Sequence, residues 1–182
     1  MRIIAGIWRG RRLLTPAGGA IRPTSDRARE ALFGILEHGA PAVRGARFLD
    51  LFCGTGAVGL EAASRGAAEV LLVDDDARAL KLARANLERL GAPESVRLVA
   101  RDASRLGPAR QPYDLVFLDP PWRAGLATPA LAELRDGWLA PDARIVVECD
   151  GREPLDLPPG YALEQTRRYG AARFTFLRPA GG

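Results

Sequence analysis

The sequence predicts an α/β fold in which a largely parallel sheet is covered by helices on both faces. From residue 46 to residue 149, apolar runs of strand length alternate with segments of helical periodicity, as in repeated βα units. A glycine-containing turn at residues 53–59 joins the first strand to the following helix. Near the end, residues 161–169 and 172–177 are strand-like runs joined at Gly170, with no room for a helix between them. These two should therefore pair antiparallel.

The first 14 residues read as a short hairpin or pair of strands with arginines projecting outward. Trp8 lies among Arg9, Arg11 and Arg12. An aromatic ring in this setting can stack on a base while the guanidinium groups meet phosphates. It can equally anchor the hairpin to the body of the protein, and both interpretations stay open here.

A helix should follow the hairpin. Thr24 or Ser25 can cap it, Asp26 lies in its first turn, and apolar residues recur at helical spacing up to Gly39. The Gly-Ala-Pro break at residues 39–41 ends this helix. We therefore predict an N-terminal extension of hairpin plus helix, residues 1–40, and a second domain, residues 41–182.

The second domain should contain regularly alternating elements before the final antiparallel pair. The predicted strands span residues 46–52, 69–73, 95–100, 113–118 and 143–149. The predicted helices span residues 57–65, 77–90 and 126–139. Both faces of such a sheet are covered, which explains why its strands read as continuous apolar runs.

Charge and composition limit the kinds of partner and site that this protein can have. The formal charge is +4, but residues 1–47 hold nine arginines against three acids, and residues 48–182 hold seventeen basic against nineteen acidic residues. A basic N-terminus on a near-neutral body indicates a polyanion partner such as nucleic acid, or a solvated basic surface. Cys53 and Cys149 are isolated and His38 is the only histidine, so neither a metal site nor a disulfide is predicted. No apolar run reaches membrane-spanning length, so we expect a soluble, cytoplasmic protein.

The glycine turn is the first candidate site. Glycines let the backbone adopt positive φ and let a ligand approach closely, while the next helix presents unpaired N–H groups. Gly54, Gly56 and Gly59 satisfy the G-x-G-x-x-G spacing of dinucleotide-binding folds. That spacing alone is a weak signal, and a turn that only packs a helix on a strand stays possible.

Acidic residues follow four of the predicted strands, where ligands of open α/β sheets bind. They are Asp50, the run Asp74 to Asp76, Asp102 and Asp119. Asp74 lies at the distance from the glycine turn expected of a carboxylate that accepts ribose hydroxyls. Asp75 or Asp76 fits a helix cap better, and Asp102 fits a helix cap as well as an adenine contact.

The strongest signal is Asp119-Pro120-Pro121-Trp122. Two prolines after a buried strand remove two amide donors and fix φ, so the carboxylate of Asp119 and the carbonyl of Pro120 are held as acceptors. Acceptors without donors suit an amino group, and Trp122 offers a flat surface for a heterocycle. The segment therefore predicts a clamp for an exocyclic amino group on a nucleobase or a comparable planar amide.

These motifs together resemble those of a known family. The segments Asp50-x-x-x-Gly54-x-Gly56 and Asp119-Pro120-Pro121-Trp122 are similar to those of S-adenosylmethionine-dependent amino methyltransferases. Residues 2–11 and the segment from Arg22 to Phe33 further resemble the RsmD family of 16S ribosomal RNA guanine-N2 methyltransferases. Trp122 stands where that family more often has Phe or Tyr, and Cys53 where alanine is frequent.

The resemblance implies a Rossmann-like class I methyltransferase: a seven-stranded, mostly parallel sheet with an antiparallel last strand. It implies S-adenosylmethionine as cofactor, and it assigns the target amino group to Asp119, Pro120, Pro121 and Trp122. The cofactor would be bound by residues at the strand ends, namely Asp50, Phe52, Gly54, Gly56, Asp74, Asp75, Asp102 and Ala103. The partner would be 16S ribosomal RNA within a small-subunit particle. The enzyme itself would be a monomer. RNA-binding residues would come from the extension, namely Arg2, Trp8, Arg9, Arg11, Arg12, Arg22, Thr24 and Arg27.

Three alternatives remain at this point. An NAD-dependent oxidoreductase would use the same glycine turn and Asp74, but it leaves the tetrapeptide at Asp119 unexplained. A nucleic-acid-binding module with a vestigial site would rest on the arginines alone. Within the methyltransferases, adenine N6 or a protein glutamine is possible, because the tetrapeptide recognises an amino group and no particular base.

Overall fold

A computed structural model describes residues 1–16, 25–122, 124–152 and 154–181. It contains one seven-stranded sheet in the order β3-β2-β1-β4-β5-β7-β6. The strands are β1 Arg47–Leu51, β2 Glu69–Asp74, β3 Val96–Ala100, β4 Tyr113–Leu118, β5 Leu139–Asp150, β6 Tyr161–Tyr169 and β7 Ala172–Pro179. Strands β1 to β5 are parallel, and β7 inserts antiparallel between β5 and β6. The predicted antiparallel end of the sheet is confirmed.

Within the part of the chain that the structure describes, four helices cover the sheet: α1 Asp26–Glu37, α2 Ala57–Ser64, α3 Ala77–Leu90 and α4 Ala127–Leu134. Apolar side chains alternate between the two faces, as the pleat of a strand requires. Phe48 packs with α1 and α2 in one cluster, whereas Leu49 and Leu51 pack with α4 in the other. No helix within the described residues is both apolar and long enough to cross a membrane.

The boundary between α4 and β5 differs from the prediction. The sequence pattern predicts a helix over residues 126–139, but α4 ends at Leu134. Gly137 has a φ of 78°, a left-handed conformation that breaks the helix. Leu139 instead pairs with Tyr113 of β4, so β5 begins four residues earlier than predicted and the segment 137–139 lies outside the helix.

The N-terminal hairpin is a loop closed by a single antiparallel bridge between Arg2 and Arg12. It lies across α2. The amide of Ile7 donates to the carbonyl of Ser64 at the end of α2, and Arg11 donates to the carbonyls of Arg89 and Leu90 at the end of α3. The loop therefore lies beside the carboxyl ends of both helices.

Buried contacts dock this loop firmly. Ile3, Trp8 and Leu13 are buried in the same cluster as Phe48 of β1. The carboxylate of Glu61, fully buried on α2, accepts hydrogen bonds from the amides of residues 4 and 5 at 2.8 and 2.9 Å. The described parts of residues 1–40 thus share a core with the rest of the chain, and the division at residue 40 stays a prediction.

Helix α1 begins as predicted. The Ser25 side chain accepts from the amide of Ala28, so of the two candidate caps Ser25 is confirmed. Arg29, one turn into the helix, is fully buried and donates to the Asp26 carboxylate and to the backbone carbonyl of Arg2. These bonds tie the start of α1 to the hairpin.

Candidate active site

A cavity of about 600 Å³ opens at the carboxyl ends of β1, β2 and β4. The sequence analysis predicts a ligand at this same edge of the sheet. The cavity is lined by residues of the glycine turn, the acidic strand ends and the proline tetrapeptide, including Phe52, Gly54, Asp75, Pro121 and Trp122. The structure therefore brings together three motifs that are up to 70 residues apart in the chain.

The glycine turn has the backbone that its residues predict. Gly54 and Gly56 have φ values of 56° and 77°, and Phe52 has a φ of 58°, which is uncommon for a residue with a side chain. Gly56 is the N-cap of α2. At position 59 a glycine is favoured for steric reasons and not by its backbone conformation, because a Cβ there would lie 2.2 Å from a methyl group of Leu72.

Asp50 is buried beneath this turn, with 1 % of its surface exposed. Its Oδ2 accepts a hydrogen bond from the amide of Gly59 at 2.8 Å. Burial raises the pKa of Asp50 to about 7, and the Gly59 bond acts in the opposite direction. A carboxyl group in this position can change its charge near neutral pH.

Asp74 braces the turn from the end of β2. Its carboxylate accepts from the amide of Gly54 at 2.8 Å and from that of Asp76 at 2.9 Å. Burial raises the pKa of Asp74, while these two bonds lower it. Asp76 caps α3 by accepting from the amides of Arg78 and Ala79, so the prediction that Asp75 or Asp76 would be the capping residue is confirmed for Asp76.

Asp102 lies past the end of β3 and closes a turn instead of capping a helix. Its Oδ1 accepts from both the amide and the hydroxyl of Ser104, and these bonds lower the pKa of Asp102. Both residues line the cavity. Ala103 is buried in the core, with 2 % of its surface exposed, and it is not among the residues that line the cavity.

The proline tetrapeptide continues β4 into the cavity wall. The amide of Asp119 donates to the carbonyl of Leu51 at 3.2 Å, which holds the tetrapeptide beside the end of β1. Pro120 is buried, Pro121 is exposed and Trp122 is half-buried. All four residues line the cavity.

The cavity wall is strongly acidic. Among the described lining residues, one guanidinium group, Arg78, faces a set of seven carboxylates: Asp50, Asp74, Asp75, Asp76, Asp102, Asp119 and Glu148. Glu148 was not predicted. Its signal was a single acid in the apolar run of residues 145–149, where a strand buried on both faces has no reason to carry a charge.

The predicted RNA-binding residues occupy different places. The exposed arginines are Arg2, Arg9, Arg11, Arg12 and Arg27. Of these, Arg11 also donates to the backbone carbonyls at the end of α3. Trp8 is buried, with 7 % of its surface exposed and its amide bonded to the hydroxyl of Ser64. Trp8 therefore anchors the hairpin, which is one of the two interpretations of its sequence context, and its assignment to RNA binding stays a prediction. Arg22 and Thr24 lie outside the described residues.

The guanidinium group of Arg11 lies at the end of α3 that is remote from the cavity. The 14-residue helix α3 begins at the cavity wall and ends at Arg11, a length of roughly 21 Å at 1.5 Å per residue. Within the described residues, no group of three or more His, Cys, Asp or Glu side chains is arranged to hold a metal ion.

Comparison with known proteins identifies the family. A family model described as Conserved hypothetical protein 95 matches residues 1–178. The chain is also 39% identical over 185 residues to the Escherichia coli protein named Ribosomal RNA small subunit methyltransferase D, with 100% of this chain and 92% of that one covered. The chain belongs to the RsmD family.

Solved structures agree with this placement. The Escherichia coli yhhF structure superposes on this RsmD-family chain with a TM-score of 0.86 at 37% identity, covering 100% of this chain and 99% of that one. A ribosomal protein L11 methylase from Lactobacillus delbrueckii, 16% identical over 84% of this chain and 79% of its own, has a TM-score of 0.65 and shares the fold alone. The architecture is that of the class I methyltransferases.

Proposed function

We propose that this protein transfers a methyl group from S-adenosylmethionine to the exocyclic N2 amino group of a guanine in small-subunit ribosomal RNA. RsmD-family membership and the name of the Escherichia coli relative support ribosomal RNA as the substrate. One observation carries the chemistry: an amino-group clamp, Asp119 to Trp122, shares a single acidic cavity with the glycine turn.

The lining residues fit S-adenosylmethionine better than a dinucleotide. That cofactor carries positive charge on its sulfur and on its ammonium group, which suits a wall with seven carboxylates and one guanidinium. A pyrophosphate would need free amides at the start of α2. The amide of Gly59 already donates to the buried Asp50 carboxylate, which would repel a phosphate. The same turn therefore argues against the NAD-dependent alternative.

Four residues would hold the cofactor along the strand ends. Asp50 and the backbone of Gly54 would lie at its methionine end, Asp74 would accept from the ribose hydroxyls, and Asp102 would lie by the adenine. Asp74 already accepts from two amides, but a carboxylate has about four lone-pair sites. It can accept from ribose without releasing the turn.

The tetrapeptide would bind and orient the target amine. When bound, S-adenosylmethionine supplies an electrophilic methyl group on a positively charged sulfur. Asp119 and the carbonyl of Pro120 would accept hydrogen bonds from the two N–H groups of the amine. These bonds would favour a more pyramidal nitrogen, whose lone pair is less delocalised into the ring, and would stabilise the positive charge that develops on nitrogen. Trp122 would stack on the base. The surplus proton would leave to Asp119 or to water.

The function is tested by incubating the purified protein with small subunits that lack the modification and with S-adenosylmethionine labelled in the methyl group. We expect label in the small-subunit RNA, at the N2 position of one guanine. Calorimetry with S-adenosylmethionine and NAD side by side should show binding of the former only. Label in adenine or in protein, or binding of NAD alone, would contradict the proposal.

Cofactor affinity should depend on pH through Asp50. Below its pKa of about 7 the group is neutral, and above it the carboxylate attracts the cationic cofactor. We expect S-adenosylmethionine to bind more tightly at pH 7.5 than at pH 5.5, by up to about tenfold, which corresponds to about 1.4 kcal/mol. Calorimetry at the two pH values measures the difference. The Asp50→Asn variant should lose most of it, and an equally steep profile in that variant would refute the assignment.

The exposed hairpin arginines should contribute to RNA affinity through phosphates. Each phosphate neutralised adds about 0.7 to 0.9 to the slope of log K against log salt. The double variant Arg9→Ala/Arg12→Ala should therefore reduce that slope by between about 1 and 2 in a filter-binding titration, without changing the turnover rate at saturating RNA.

The matched control for this titration is Arg110→Ala/Arg135→Ala. Both control arginines are exposed and lie next to elements that pack on the α4 face of the sheet, away from the hairpin. The control should keep the slope of the unmodified protein. Equal slopes for all three proteins would remove the hairpin from the RNA-binding surface.

A further inference from the structure

Glu148 is a buried carboxylate that neither the cofactor nor the amine clamp uses. It lies near the end of β5, has 5 % of its surface exposed and lines the same cavity as Asp119. Its neighbours along the strand, residues 143–149, are all buried. A carboxylate has about four lone-pair sites, so Glu148 can accept a hydrogen bond from a ligand in the cavity in addition to its contacts within the protein.

The strand order places Glu148 on the substrate side of the cavity. The residues assigned to the cofactor follow β3, β2 and β1, whereas Asp119 follows β4 and Glu148 is on β5, one strand further. Strands β4 and β5 are parallel, with Leu118 opposite Val147. The next position on each strand is Asp119 and Glu148, and neighbouring strands are about 4.8 Å apart. Asp119 therefore lies between Glu148 and the cofactor side.

The chemistry beside an amino group differs among the nucleobases. In guanine, two ring nitrogens flank the N2 amino group: N3, which accepts, and N1, which carries a hydrogen and donates to an acceptor on its side of the amino group. In adenine and cytosine, the ring nitrogen next to the amino group has no hydrogen and accepts. An acceptor placed beside an amine clamp therefore pairs with guanine, and it faces a second acceptor if adenine or cytosine enters.

We propose that Glu148 determines the choice of guanine by accepting a hydrogen bond from its N1–H while Asp119 and Pro120 hold the amino group. This rests on the proposed function and deepens it, because the tetrapeptide alone recognises an amino group and no particular base. Glu148 acts here as a specificity residue that touches the base without exchanging a proton or forming a bond.

The test separates N1–H from the amino group. Small-subunit RNA is assembled by ligation with guanine, 2,6-diaminopurine or 2-aminopurine at the mapped nucleotide. The two analogues keep the 2-amino group and lack the N1 hydrogen, and they differ from each other at position 6. Methyl transfer to each RNA is measured under single-turnover conditions with wild type, Glu148→Gln and a control, Glu94→Gln, in which an exposed glutamate is changed.

Wild type and the control should prefer guanine over both analogues by between about 10-fold and 100-fold, the range for one well-placed base contact. Glu148→Gln should bring the three rates to within about threefold of one another, because its amide can donate to N1 as well as accept. Its affinity for S-adenosylmethionine should equal that of wild type by calorimetry.

Several results would overturn the assignment. If wild type methylates guanine and both analogues equally, no residue reads N1, whether or not the variant folds. If Glu148→Gln keeps the preference for guanine, Glu148 is not the reader. A loss of cofactor affinity in Glu148→Gln with an unchanged preference would assign the residue to the cofactor instead. Failure of wild type to methylate guanine in any small-subunit RNA would instead refute the proposed function itself.

Discussion

Replacing Asp119 with Ala should lower the rate of methyl transfer by about 10²- to 10³-fold, as removal of one preorganised group that stabilises developing charge does in other enzymes. The carboxylate lies at the cavity wall beside the end of β1 and is the proposed acceptor for the target amine. The cofactor is assigned to other residues, so its affinity should change by less than about threefold. Single-turnover methyl transfer and calorimetry measure the two quantities separately.

The control for this experiment is Asp136→Ala, which removes an exposed carboxylate in the turn after α4. It should behave as wild type in both measurements. Asp119→Asn should fall between wild type and Asp119→Ala, because its amide oxygen still accepts but carries no charge. A normal rate for Asp119→Ala would exclude the tetrapeptide as the amine clamp, and a loss of cofactor affinity in the same variant would move Asp119 to the cofactor site.

Replacing Gly6 with Ala should cost about 3 kcal/mol of unfolding free energy, by combining a strained backbone with a steric clash. Gly6 has a φ of 82°, and a Cβ there would lie 1.8 Å from the backbone carbonyl oxygen of Ser64. That oxygen also accepts from the amide of Ile7, so the hairpin cannot move away without losing a hydrogen bond. Urea unfolding followed by circular dichroism measures the loss.

Gly10 provides a matched control within the same loop. Its φ of 80° is almost that of Gly6, but nothing lies within 4 Å of the Cβ position. Gly10→Ala should therefore cost only the backbone strain, about 1 kcal/mol. If both variants lose the same free energy, the close approach of the hairpin to α2 does not contribute to stability.

Much of this fold is encoded locally, and that part was predictable. Turns such as Gly54 to Gly59 and caps such as Ser25 and Asp76 depend on a few neighbouring residues, and the apolar runs between them are long enough to identify each strand. Ligands bind at the carboxyl ends of parallel strands. Residues far apart in the chain, such as Asp50 and Asp119, could therefore be assigned to one site before any contact was known.

The missed features depend on tertiary contacts. Glu148 was overlooked because strand order, which local pattern does not determine, is what brings β5 next to Asp119. Two interpretations of Trp8 stayed open because the residues that hold the hairpin, Ser64 and Glu61, are not evident from the arginines around Trp8. The start of β5 was misplaced because Leu139 fits either element, and pairing with Tyr113 decides between them.

The position of the hairpin sets a lower limit on the size of the substrate. The side chain of Arg11 and the backbone of Arg12 bond to the carboxyl end of α3, whereas the amino end of α3 lines the acidic cavity, roughly 21 Å away for a helix of 14 residues. A nucleoside or a very short oligonucleotide cannot reach both. The arginines would increase the affinity only for an RNA whose backbone passes along the side of the protein while its target base enters the cavity. Discrimination would then depend on the three-dimensional shape of the RNA as much as on the identity of the methylated base.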